Sequence, residues 1–112
     1  MDCIFCKIAN KKIVTDIVYE DDYVIAFNDA SPQAPTHILF IPKVHIDSNN
    51  EVLEDDPIIS HIFTAIRKVA KEMGFDKDGY RIVNNVGSQG GQTVNHLHFH
   101  VMAGRQMLWP AG

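Results

Sequence analysis

Apolar residues are gathered into several short stretches that proline, glycine and aspartate separate, and this pattern predicts a series of β-strands. The predicted strands cover 17–20, 23–27, 37–41, 80–84 and 96–101. Asp21 and Asp22 separate the first two strands, which we therefore expect to form a hairpin. The third strand is a continuous apolar run that follows a proline-rich loop over 31–35 and ends at Pro42.

A longer spacing of apolar residues predicts two helices. The short N-terminal helix carries its apolar side chains at Ile4, Phe5, Ile8 and Ile13. The main helix opens at Asp56-Pro57, an N-cap candidate followed by proline at the first helical position, and closes at Gly74. Its apolar stripe consists of Ile59, Ile62, Phe63, Ile66, Val69, Ala70 and Met73. One main helix and about five mostly hairpin-linked strands predict an α+β fold with an antiparallel sheet.

The last predicted strand alternates histidine with an apolar residue. In an extended strand His96, His98 and His100 share one face, and the residues between them share the other. Neighbouring imidazoles would lie roughly 6.5 to 7 Å apart, at about 3.3 Å of rise per residue. This spacing suits one compact anion or a metal. The alternative is three buried histidines with separate interior partners, which we consider the weaker interpretation.

A glycine-rich loop over 87–93 leads directly into this strand. Its glycines permit backbone N–H groups to approach an anion, and Ser88, Gln92 and Thr93 add side-chain donors. Such a loop is usually a plain turn, and no helix follows it as the nucleotide-binding fingerprints require. Next to the histidines, however, it is a candidate phosphate cradle. A neutral imidazole is a good nucleophile near pH 7, so His98, in the middle of the strand, is the candidate attacker on phosphorus.

Composition narrows the class of protein. The 112 residues suit one domain, 1–112, and a net charge of −4 argues against a nucleic-acid binder. We find neither an apolar run near the ~18 residues of a spanning helix nor the features of a signal peptide, so we expect a cytoplasmic protein that does not bind membranes. Cys3 and Cys6 form a C-x-x-C pair, which inside cells suggests metal or redox chemistry.

Taken together, these motifs resemble those of the histidine triad (HIT) family, above all in the run 96–102. Other matching segments are 4–5, 7–8, 27–29, 31–37, 41–43 and 90–93. The tail over 104–110 looks like the Hint branch, the histidine triad nucleotide-binding proteins, and unlike the dinucleoside polyphosphate hydrolase branch. The resemblance implies a HIT-like fold and a homodimer whose two sheets join into one.

The resemblance also implies a purine nucleoside phosphoramidase. Such an enzyme hydrolyses the P–N bond between a purine nucleoside 5′-monophosphate and an amine such as lysine, through a nucleotidyl-histidine intermediate and without a catalytic cofactor. By motif position His98 would be the nucleophile, His100 would bond the phosphate or bridging atom, and His37 and His96 would support them. Asp29 would accept from the ribose hydroxyls. The implied nucleotide-binding set is Ile4, Phe5, Ile8, Ile13, Phe27, Asp29, Ala30, Asn85, Gly91, Gln92, Thr93, His98 and His100.

A subset of the family binds structural zinc with two cysteines and two histidines. By motif position these ligands would be Cys3, Cys6, His45 and His96. Two thiolates and two imidazoles make a closed tetrahedral site, which suits structural zinc. The alternative is a pair of reduced cysteines near a helix start together with an ordinary loop histidine.

Three other functions stay open, the first of them within the family that the chain resembles. One is dinucleoside polyphosphate hydrolysis, against which the tail argues. The second is a noncatalytic nucleotide-binding or scaffold protein. The third is a metalloenzyme with catalytic zinc on His96, His98 and His100, although catalytic sites usually draw ligands from more than one element.

Overall fold

The structure is a computed structural model that describes residues 3–112. Five strands form one sheet: β1 (Ile17–Glu20), β2 (Val24–Asn28), β3 (Thr36–Pro42), β4 (Arg81–Val83) and β5 (Phe99–Ala103). The sheet order is β1-β2-β3-β5-β4, and every pair of neighbours is antiparallel. The predicted α+β class with a five-stranded antiparallel sheet is therefore confirmed.

Two α-helices flank the sheet, α1 (Ile4–Ala9) and α2 (Ile58–Met73), and a 3-10 turn covers Asn49–Glu51. At the start of α2 the Asp56 carboxylate accepts from the Ile58 N–H at 2.9 Å. Pro57 occupies the N-cap position, one residue before its predicted place inside the helix. Gly74 ends α2 as predicted, because its left-handed φ of 85° lets its N–H bond the Ala70 carbonyl at 2.9 Å.

The main core lies between α2 and one face of the sheet. Its buried members are Val24, Ala26, Ile38, Phe40, Ile58, Ile62, Ala65, Ile66, Val69, Leu97, Phe99 and Val101. The predicted helical stripe is largely confirmed, since Ile59 and Phe63 also pack against this cluster. Met73 is the exception and is 53% exposed, because it lies in the last turn of α2.

A second core lies on the opposite face of the sheet, against α1. It consists of Cys3, Phe5, Ile8, Ala9, Ile25, Phe27, Leu39 and Ile41. Successive residues of β2 and β3 supply the two cores in turn, as the period of two in a strand requires. Ile4 and Ile13, which we placed on the same apolar stripe, are 50% and 36% exposed.

The histidine strand begins later than predicted, at Phe99, because the preceding backbone bonds elsewhere. The Leu97 N–H donates to the Ile46 carbonyl at 2.6 Å, and the Asn84 side chain donates to the His98 carbonyl at 2.9 Å. The alternation of faces nevertheless holds, since Leu97 joins the α2 core. Strand β4 is also shorter than its predicted 80–84. Within the described residues, neither helix is long and apolar enough to cross a membrane.

Candidate active site

The three histidines of the motif lie in three different surroundings. His96 is completely buried beside two cysteines, His98 is 4% exposed, and His100 is half-buried beside His37. The expectation that all three share one ligand is therefore wrong for His96. Each histidine has its own interior partner, which agrees with the alternative of three separately bonded histidines. These partners also determine which nitrogen of each ring can react.

The hydrogen bond of His98 fixes its tautomer. Its Nδ1 lies 2.7 Å from the carbonyl oxygen of His96. A carbonyl oxygen only accepts, so Nδ1 carries the proton and Nε2 keeps the lone pair in the neutral ring. The Phe5 ring packs against this imidazole edge to face, with 5.1 Å between the ring centroids. The ring of His98 is thus held in place, and in its neutral form Nε2 is the nucleophilic nitrogen.

A chain of hydrogen bonds fixes the proton of His100 in the same way. The Gln33 backbone N–H donates to His37 Nδ1 at 2.9 Å, so the proton of neutral His37 is on Nε2. That Nε2–H donates to His100 Nδ1 at 2.9 Å. The proton of His100 is therefore on its Nε2, which leaves this nitrogen as a donor. The ring centroids of His98 and His100 are 5.2 Å apart, so a ring with a free lone pair lies next to a ring that offers a donor.

Burial keeps His37 and His100 neutral. Desolvation, with smaller contributions from the neighbouring His98 and His37, lowers the pKa of His100 to about 4. Desolvation also lowers the pKa of His37, while Asp29 opposes both shifts. The Asp29 Oδ2 lies 3.5 Å from His37 Nε2 and 3.9 Å from His100 Nδ1, and its Oδ1 accepts from the Ser31 N–H.

Cys3, Cys6, His45 and His96 form a second group, here called the Cys/His cluster. Their ligand atoms all lie within 4.8 Å of one another. The Cys3 Sγ is 3.3 Å from His96 Nδ1, and the Cys6 Sγ is 3.2 Å from His45 Nδ1 and 3.6 Å from His96 Nδ1. Burial and the neighbouring Cys3 raise the pKa of the Cys6 thiol. The structure therefore brings together the four residues suggested for zinc.

The tautomers of the cluster suit a metal. His96 Nε2 donates to the Pro42 carbonyl at 3.0 Å, and His45 Nε2 donates to the Asp47 carboxylate at 2.6 Å. Both Nδ1 lone pairs therefore face the thiols. Two sulfur and two imidazole donors, with each histidine oriented by an outer acceptor, match the arrangement of tetrahedral zinc sites. The donor set fits the metal that the sequence suggests.

A second possible metal group consists of Asp29, His37 and His100. Here the hydrogen bonds argue against a metal. His37 Nδ1 already accepts from the Gln33 N–H, so coordination through Nε2 would require a fully deprotonated ring. We interpret His37 and His100 as a hydrogen-bonded pair in which the position of each ring proton is fixed, with Asp29 beside it. The three-histidine metal site fails similarly, because His96 turns its free nitrogen toward the thiols.

The glycine-rich loop is held in place by one side chain. Gln92 accepts from the Gly87 N–H at 3.0 Å and donates to the Asp47 and Val94 carbonyls at 2.7 and 3.0 Å. Gly90 packs so closely that an added Cβ would lie 2.2 Å from the Val86 carbonyl oxygen. A cavity of about 430 Å³ lies beside the loop, and its lining residues are Cys3, Ile4, His45, Asp47, Thr93, Val94 and Asn95.

The other predicted nucleotide-binding residues divide between the interior and the surface. Phe5, Ile8 and Phe27 are buried together in the α1 core, and Phe5 contacts Phe27 edge to face at 5.5 Å. The exposed members of the set are Ile4, Ile13, Ala30, Gly91 and Thr93. Asn85 and Gln92 are half-buried.

Sequence reasoning missed three residues that hold the site together. Asn84 bonds the His98 carbonyl, Asp47 orients His45, and the Gln33 backbone orients His37. Asn84 is adjacent to the residue that we chose, Asn85, and Asp47 follows His45 by two positions. A search for polar partners of the histidines could have found Asp47, but a backbone donor such as that of Gln33 leaves no signal in the sequence.

The comparisons with known families and solved structures both find HIT proteins. The HIT domain family model matches residues 10–107. Purine nucleoside phosphoramidase from Escherichia coli K12 is 45% identical over 107 residues, which is 95% of this chain and 90% of that protein. A histidine triad protein from Clostridium difficile is 55% identical with a TM-score of 0.94, covering 96% of this chain and 95% of its own. A HIT family hydrolase from Legionella pneumophila Philadelphia 1 is 48% identical with a TM-score of 0.96, covering 99% and 100%.

Proposed function

Because the chain belongs to the HIT family and is a hydrolase, we propose that it cleaves the P–N bond of purine nucleoside 5′-monophosphate amine conjugates. Adenosine 5′-phosphoramidate and AMP joined to a lysine amine are the substrates of this type. The reaction passes through a nucleotidyl-histidine intermediate on His98. The relative from E. coli, named purine nucleoside phosphoramidase, supports this substrate class.

The hydrogen bond from His98 Nδ1 to the His96 carbonyl is the observation that carries the proposal. It presents Nε2 as a lone pair and gives the developing positive charge a carbonyl dipole at the opposite nitrogen. A histidine that served only to bind phosphate would instead present an N–H. The nucleophile is thereby distinguished from its neighbour His100, which presents a donor.

In the first step His98 Nε2 attacks phosphorus and the P–N bond breaks. The bonding pair leaves with the nitrogen, which takes a proton from solvent to become the free amine. His98 keeps its Nδ1 proton, so the intermediate is a positively charged nucleotidyl-imidazolium. His100 remains neutral, since burial lowers its pKa to about 4, and it donates its Nε2–H to a phosphoryl oxygen without repelling the new charge.

In the second step water attacks the same phosphorus and His98 departs as neutral imidazole. The hydroxyl of the water binds to phosphorus, and the remaining proton passes to solvent. This proton replaces the one that the amine took up in the first step. The overall reaction consumes one water and produces one nucleoside monophosphate and one amine. His37 returns its neighbour to the same tautomer in each cycle through the Nε2 to Nδ1 bond of 2.9 Å.

The remaining site residues bind the nucleotide in this proposal. Phe5, Ile8 and Phe27 supply the apolar wall for the base, with Ile4 and Ile13 at its exposed rim, and Ala30 lies beside the sugar. An apolar wall stacks on any purine and gives little selection between adenine and guanine. Asp29 accepts from the ribose hydroxyls, and Asn85 with 91–93 contacts ribose and phosphate.

The proposal also covers the cofactor, the metal, the oligomeric state and the location of the protein. The enzyme needs no cofactor for the chemical steps and holds one structural zinc ion in the Cys/His cluster. It works as a homodimer in the cytoplasm and does not bind nucleic acid. Zinc bound there would fix the start of α1, which carries Phe5 on the wall of the base site.

The proposal is tested by turnover of adenosine 5′-phosphoramidate. We expect rapid AMP release by the parent protein and by a His61→Asn control, which removes a histidine of α2 stacked on Tyr23 and outside the site. His98→Ala should release no AMP above the buffer rate. AMP binding without turnover would favour a noncatalytic binding protein, and faster cleavage of a dinucleoside polyphosphate would favour the other branch of the family.

A further inference from the structure

The Cys/His cluster and the nucleophile share one residue, His96. Resting on the function proposed above, we propose that loading of this cluster with zinc positions His98, so that metal occupancy of the cluster controls the rate of the chemical step. The cluster would then be a control site for catalysis as well as a structural one. Three separate contacts in the structure connect the two sites.

The first contact runs through the two ends of His96. Its ring Nδ1 faces Cys3 and Cys6 at 3.3 and 3.6 Å, whereas its backbone carbonyl accepts the Nδ1 proton of His98 at 2.7 Å. A shift of the His96 backbone would therefore change both the cluster and the group that holds the tautomer of His98. The side chain is completely buried, so its orientation depends on these few partners.

The second contact runs through α1. Cys3 is the N-cap of this helix and its sulfur accepts from the Cys6 N–H at 3.4 Å, so the two thiols bracket the first turn. Phe5 lies between them in sequence. Its ring contacts His98 with 5.1 Å and His96 with 5.9 Å between centroids. A displaced first turn would thus withdraw the ring that packs against the nucleophile.

The third contact runs through the loop. The Asp47 carboxylate orients His45, and the Asp47 carbonyl accepts from Gln92 at 2.7 Å. Gln92 in turn closes the glycine-rich loop through its bond to the Gly87 N–H. The segment that supplies one ligand of the cluster therefore also anchors the proposed phosphate cradle.

The thiols and imidazoles of the cluster lie 3.2 to 3.6 Å apart, and contacts of this kind are only weak hydrogen bonds. Coordination would replace them with four bonds to one centre and send the two thiol protons to solvent. Partners that orient a metal ligand typically change affinity or activity by about 10- to 100-fold. We expect an effect of that order on kcat.

The experiment compares the full chain loaded with zinc, stripped by a chelator and then reloaded. Long-range ¹⁵N NMR of the imidazoles reports the tautomer of His98, and folding is followed by circular dichroism. We expect one fixed Nδ1–H tautomer in the loaded protein and a mixture in the stripped protein, with kcat reduced at least about tenfold and restored by zinc. Cobalt should give the charge-transfer and d–d bands of a tetrahedral thiolate site.

Two variants and a control sharpen the result. Cys6→Ser should no longer respond to zinc, and Asp47→Asn should require more zinc for the same kcat. His61→Asn should behave as the parent does. The Asp47→Asn variant keeps all four ligands, so it tests the coupling if Cys6→Ser does not fold.

The proposal is overturned if zinc does not bind, or if stripped and folded protein keeps both its kcat and its His98 signals. Its failure differs from that of the proposed function. A loaded protein that leaves phosphoramidates intact refutes the reaction, whereas a metal-dependent His98 tautomer in that same protein would still support the coupling.

Discussion

The acid stability of the protein provides a quantitative test of the His100 environment. Folding lowers the pKa of His100 from 6.5 to about 4, chiefly because the ring is desolvated. At about 1.36 kcal/mol per pKa unit, this shift corresponds to roughly 3 kcal/mol of folding free energy. The side chain is only 19% exposed, so solvent screens little of this contribution.

The sign follows from proton uptake. The unfolded chain protonates His100 near pH 6.5, whereas the folded protein does so near pH 4. The contribution of His100 to stability is therefore complete above pH 6.5 and is lost as the pH falls to about 4. A His100→Asn variant cannot titrate at this position, so its free energy of unfolding should fall by roughly 3 kcal/mol less than that of the parent between pH 7 and pH 4.

The assay is urea denaturation followed by circular dichroism at several pH values, with chelator present throughout so that metal release does not contribute. NMR titration of the His100 ring gives the pKa directly and should place it near 4. Two results would refute the reasoning: a His100 pKa close to 6.5, or parent and variant curves that run parallel from pH 7 to pH 4.

Three further predictions concern the backbone and the core. Gly90→Ala places a Cβ 2.2 Å from the Val86 carbonyl oxygen and forces the loop to move by about 1 Å, which should lower kcat/KM roughly 100-fold. Gly112→Ala, with open space around the position, is the control and should change nothing. Leu97→Ala removes a side chain that is 1% exposed, and calorimetry should show a loss of about 2 to 5 kcal/mol. Gly74→Ala strains a φ of 85° without any clash and should cost about 1 kcal/mol in urea denaturation.

Much of the fold follows from the period of apolar residues. Strand β1 has its predicted bounds, and the bounds of β2 and β3 differ from the prediction by one residue at each end. The agreement arises because apolar side chains in those strands must face one core or the other. The start of β5 could not be predicted in this way. His96, Leu97 and His98 keep the alternation of a strand, but their backbone groups bond Ile46, Asn84 and a neighbouring imidazole instead of a strand.

In the candidate site, too, the sequence predicts part of the arrangement and the rest depends on contacts in three dimensions. The motif identifies which histidines matter, yet their roles depend on which nitrogen carries the proton. That choice is made by backbone carbonyls and N–H groups at His96, Pro42 and Gln33. Every residue offers such groups, so the sequence alone could not reveal which of them would meet an imidazole.

The most direct test of the central claim is the mass of the protein during turnover. The protein is mixed with adenosine 5′-phosphoramidate, quenched within the first turnover, digested and analysed by mass spectrometry. We predict a transient mass increase of one adenylyl group on the peptide that contains His98, absent from His98→Ala. Turnover without any adduct, or an adduct on another residue, would contradict the assignment of His98 as the nucleophile.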